Sequence, residues 1–215
     1  MFAAAHEWTL PDALAARPAR FAGLADGKAA GARPLYDRLA GGLLDAAAQG
    51  ESIAFLQQAI QQVEPDASDL PASPDGRSGW MHDSVRRAGD SYRAYLQARK
   101  AGAPRRYFHN RAHALHFLRA VAPTKLVDGA WLCGLLAHAH NPRFTDLVAT
   151  YVEELGEGRA DKNHVLPYRQ LLKRHGLSPL HGLPDALYTQ GLIQLALGWN
   201  ADHFLPRDHR LQPGP

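Results

Sequence analysis

Hydrophobic and polar positions follow a helical period along most of the chain. Ala, Leu, Gln and Arg dominate, and β-branched residues are sparse. This pattern predicts helices at Pro11–Phe21, Pro34–Ala48, Ser52–Val63, Met81–Arg99, Asn110–Val121, Lys125–His140, Pro142–Leu155, Lys162–His175 and Ala186–Trp199. Short connections punctuate them: APT, NP, GEG and GLSPLHGLP. Short loops between amphipathic helices imply an antiparallel bundle, so the expected fold class is all-α. The stretch EPDASDLPASPDGRS, residues 64–78, is rich in Pro, Asp, Ser and Gly and reads as a linker or loop. It divides an N-terminal helical extension, residues 1–63, from a bundle over residues 79–206.

Composition narrows this picture modestly. Apolar residues make up 46% of 215, enough for a substantial core. The net charge of +3 is mild, and the basic pairs Arg86-Arg87, Arg105-Arg106 and Lys173-Arg174 are scattered. They read as solvated helix faces, with no nucleic-acid footprint expected. The single cysteine, Cys133, sits in WLCGLL and reads as a small core residue. The N-terminus lacks the form of a signal peptide, and no apolar window is long enough for a membrane span. A cytoplasmic protein without membrane contact is the expectation. Trp80, Trp131 and Trp199 fit core packing.

Candidate chemistry gathers in YVEELGEGRADKNH, residues 151–164. Gly156 and Gly158 make one continuous helix unfavourable. The spacing instead places Glu154 in the last turn of one helix and His164 in the first turns of the next, with Asp161 as N-cap. A carboxylate is poorly placed at its own helix C-terminus, a local cost that a facing cation offsets. Carboxylate and imidazole on facing bundle helices suit non-haem iron or manganese. Plainer readings exist: Glu153 and Glu154 as surface charges, His164 as a capping or packing residue.

Residues 104–206 resemble the iron-containing redox enzymes of the haem-oxygenase-like diiron oxidase superfamily. The likeness lies in RRYFHNRAHALHFL, APTKLVDGAWL, TYVEELGEGRADKNHVLPYRQLLKRHGL and LYTQGLIQLALGWNADHFLP. The resemblance implies a haem-oxygenase-like helical bundle that holds iron, two ions in intact relatives, and uses O2 to oxidise a small organic substrate. It carries metal-ligand roles onto Glu154 and His164. The first carboxylate of the set falls on Asp128 in KLVDGAW, where the usual residue is glutamate. Asn163, Tyr151 and Tyr168 are candidates to orient the ligands. Oligomeric state stays open, with dimers common among the proteins it resembles.

Those proteins continue past FLP with a segment like PEIIGFNLGYE and later ligand helices. This chain reads PRDHRLQPGP. Codons permitted for Arg207–Gly214, shifted by one base, encode Glu-Ile-Ile-Gly-Phe-Asn-Leu-Gly. Residues 207–215 are therefore expected to be an out-of-frame tail, with the ligand set half complete, the activity impaired and at most one metal weakly held. The gene's nucleotide sequence decides this.

Two rival readings accompany the oxidase. YFHNRAHALHFL with WLCGLLAHAHNP resembles HD-type metal-dependent phosphohydrolases, through His109, His113, His138 and His140. The expected His-Asp pair is His138-Ala139-His140 here, which lacks the bridging carboxylate. For these four and His116, packing or capping is the plainer account. A non-catalytic helical interaction protein is the third class.

Overall fold

A computed structural model describes residues 31–62 and 69–204. The expected helix at Pro11–Phe21, the first part of the linker and the tail over 207–215 lie outside the described residues. The described part is all-α: α1 (Ala32–Ala40), α2 (Ala46–Gln61), α3 (Pro74–Lys100), α4 (Arg111–Ala120), α5 (Ala122–Lys125), α6 (Thr145–Glu154), α7 (Val165–Arg174), α8 (Thr189–Trp199) and α9 (Ala201–Phe204). Three 3-10 segments, Ala130–His138, Pro142–Phe144 and Asp185–Tyr188, complete it. Among the described residues no single helix is long and apolar enough to cross a membrane.

The chain divides into two compact units. The smaller covers described residues 69–116 and is dominated by α3. Pro74 opens α3 at a position that needs no N–H donor, and the Ser73 side chain accepts from Asp75 N at 3.3 Å. Asp75 in its first turn and Arg99 and Lys100 in its last complement the helix dipole. The helix therefore begins inside the stretch expected as a linker, because Ser-Pro-Asp is a start signal as well as a loop signal. It buries none of its residues.

The larger unit joins described residues 31–62 to 117–204. Its core holds Leu35, Tyr36 and Leu39 of α1, Ala48 and Leu56 of α2, and Tyr188, Leu192, Leu195 and Ala196 at α8. The segment expected as an N-terminal extension thus supplies two helices to this core. Tyr36 donates to Pro123 O at 2.9 Å and packs edge-on against Tyr188, centroids 5.2 Å apart. Burial raises the Tyr36 phenol pKa. The Asp185 carboxylate accepts from Ala32 N and Arg33 N, both at 2.8 Å, and so caps α1 from more than 150 residues away. Asn200 bridges α8 to α2 by donating to Ala196 O and Ser52 Oγ.

The predicted helix Lys125–His140 is the largest departure. The backbone breaks after α5 and resumes as 3-10 from Ala130 to His138. Gly129 has φ +81°, a conformation that ends a right-handed helix. Gly134 and Gly198 permit the close packing of that segment on α8, since a Cβ on Gly134 would collide with Gly198 O. Trp131 and Trp199, expected in the core, are 40% and 36% exposed. Cys133 is only half-buried.

Candidate metal centre

Three elements of the larger unit converge on one point. The turn after α5 presents Asp128, the end of α6 presents Glu154, and the start of α7 presents His164. Two glycines allow this. Gly129 has no side chain where Glu154 must pass: a Cβ there would stand 2.9 Å from Glu154 Cβ. Gly156, at φ +78°, turns the chain back on itself, and a Cβ on it would strike the backbone of Arg159 and Asn163. The returning strand of backbone is pinned by Arg159 N to Gly156 O at 2.8 Å, Asn163 N to Arg159 O at 3.1 Å and His164 N to Glu154 O at 3.2 Å. Two ligand-type residues ten positions apart are thereby joined through their main chains.

Asp161 does not cap α7. Its carboxylate pairs with Arg159, which lowers its pKa below the usual range. Asn163 is the cap: its Oδ1 accepts from Val165 N at 3.0 Å and Leu166 N at 2.9 Å. Its Nδ2 donates to Leu155 O at 3.3 Å, so this residue fixes the entry to α7 rather than a ligand. Tyr168 donates to Leu118 O and is spent there. Tyr151 stays beside the centre, its ring near Gly129, and burial raises its pKa.

His164 Nδ1 lies 2.5 Å from Glu154 Oε2 and 3.9 Å from Asp128 Oδ2. One donor atom from each residue lies within 4.8 Å of the others. Among the described residues these three form the one group of three His, Cys, Asp or Glu side chains so placed. Asp128 and Glu154 are mostly shielded, with side chains 17% and 23% exposed, whereas His164 is 47% exposed. The short Glu154–His164 approach is not an aligned hydrogen bond: Glu154 Oε2 is buried with no donor in line with it. Asp128 Oδ2 instead receives the Lys125 ammonium at 2.7 Å. A buried carboxylate oxygen without a donor is costly unless a cation approaches it. Two carboxylates and an imidazole are the donor set for a divalent transition ion.

The histidines of the phosphohydrolase reading do not enter any such group among the described residues. His109 and His113 stack at 6.4 Å, and His138 Nε2 meets Asp202 Oδ1 at 2.6 Å. Sequence reasoning missed Lys125 and Gly129, although both flank Asp128 in KLVDG.

Residues 115–206, less than half of the chain, match the model of a family described as iron-containing redox enzymes. The all-α architecture agrees with the haem-oxygenase-like bundle that the resemblance implies. Asp128, Glu154 and His164 all fall inside the matched segment. No curated protein and no solved structure matches the chain significantly.

Proposed function

We propose that the chain is an iron-dependent oxidoreductase that uses O2 on a small organic substrate. Asp128, Glu154 and His164 are the metal ligands in this reading. The observation that carries it is the convergence of these three side chains on one point, their donor atoms all within 4.8 Å of one another. The family match over the same residues supports iron as the ion.

Bound iron would supply one-electron chemistry toward O2. The chain's own residues prepare its place. Asp128 and Glu154 offer shielded anionic oxygens, and His164 offers an imidazole open to solvent on one side. Lys125 holds Asp128 in orientation and competes for the same oxygen. Tyr151 keeps its phenolic proton at neutral pH, because burial disfavours the phenolate.

The test is O2 consumption by the purified chain after anaerobic loading with Fe(II). The wild type should consume O2 above the rate of free Fe(II). Glu154→Ala and His164→Ala should fall to that background. Equal consumption by all three proteins contradicts the assignment.

A further inference from the structure

A pocket of about 290 Å³ opens beside Asp128 in the larger unit. This is just below the usual range for ligand sites, ~300–1,000 Å³. Leu39, Val127, Ala130, Leu155, Leu195 and Trp199 give it apolar walls. Asp128, Tyr151 and Cys133 are the lining residues with polar side chains besides Trp199, whose indole N–H is engaged by Leu39 O. Asp128 is the one charged side chain among the lining residues, and none of them is a cation. The Lys125 ammonium is engaged by Asp128 and does not line the pocket.

One wall comes from outside the family-matched segment. Leu39, Ala40 and Gly42 belong to α1 and the turn after it. Trp199 Nε1 donates to Leu39 O at 3.2 Å and so ties that wall to the end of α8. The shape of the pocket therefore depends on this chain's own N-terminal helix.

We propose that this pocket binds an apolar small molecule that carries no carboxylate in the part it buries, and that presents a hydroxyl or amine donor toward Asp128 and Tyr151. A ligand carboxylate here would face Asp128, whose cation Lys125 lies outside the pocket lining, whereas a donor can satisfy the carboxylate. The proposal describes the pocket of the metal-free chain and stands apart from the oxidoreductase reading.

The probes are 1-hexanol and hexanoate, measured on the metal-free chain by ligand-observed NMR saturation transfer. Hexanol should bind at least tenfold more tightly than hexanoate. Ala40 is exposed at the wall, so Ala40→Trp should fill the opening and remove hexanol binding without disturbing the core. Ala40→Lys should bring hexanoate to within about threefold of hexanol. Thermal melts followed by circular dichroism establish that both variants fold. Hexanoate binding as tightly as hexanol, absence of hexanol binding, or an Ala40→Trp variant that binds hexanol normally would each overturn the proposal. Fe(II) titration of the same protein separates the two readings. A chain that holds iron but not hexanol loses the pocket alone, and the reverse result removes only the iron assignment.

Discussion

Glu154 bears the largest local cost at the centre. It ends α6, where the helix dipole disfavours an anion, and its buried Oε2 has the His164 imidazole beside it without an aligned hydrogen bond. The space for it exists because residue 129 is glycine. Gly129→Ala places a Cβ at 2.9 Å from Glu154 Cβ and forces φ +81° on a residue that resists it. The expected result is a loss of about 1–2 kcal/mol in stability, read by urea unfolding, and a fall of at least about tenfold in Fe(II) affinity. Lys125 acts in the opposite sense, since its ammonium occupies Asp128 Oδ2. This ion pair is partly exposed, so its competition is modest. Lys125→Met should tighten Fe(II) binding by up to about fivefold in a chelator competition assay, and weaker binding would show that orientation outweighs competition.

At the scale of elements, the loop between α6 and α7 decides whether the centre forms. Gly156 reverses the chain, Asn163 caps α7, and the His164 amide returns to Glu154 O. Gly156→Ala would drive a Cβ into the backbone of Arg159 and Asn163. It should cost about 2–3 kcal/mol and separate Glu154 from His164, seen as loss of Fe(II) binding even when the helical circular dichroism is kept. Much of this loop was legible in sequence. Two glycines between a carboxylate and an imidazole announced a break, and the helices on either side were placed within a few residues. Asn163 was not recognised as the cap, because Asp161 is an equally good capping residue until Arg159 is seen to hold it. The 3-10 stretch Ala130–His138 was also illegible. Its sequence is a good helix former, and only the φ of Gly129 and the close approach of Gly198 reveal the break.

At the scale of the molecule, the larger unit draws its core from segments far apart in sequence. Asp185 caps α1, Tyr36 reaches Pro123, and Asn200 reaches Ser52. Local pattern cannot forecast such pairings, which is why residues 31–62 read as an extension when they line the core and one wall of the pocket. The likeness to iron enzymes singled out Asp128, Glu154 and His164, whose donor atoms lie within 4.8 Å of one another, but it gave no hint of that wall. A metal bound to the folded unit and not to the unfolded chain must also raise its stability. At Fe(II) near one hundred times the dissociation constant, the gain is about 2.7 kcal/mol. The melting transition should rise by about 5–10 °C under anaerobic conditions, and by nothing in His164→Ala.

Anaerobic Fe(II) titration of the wild-type chain beside Glu154→Gln and His164→Ala tests the central claim most directly. The account predicts saturable binding by the wild type and affinity at least about 100-fold weaker in each variant. A wild-type chain that retains no iron, or variants that hold it equally well, would contradict it.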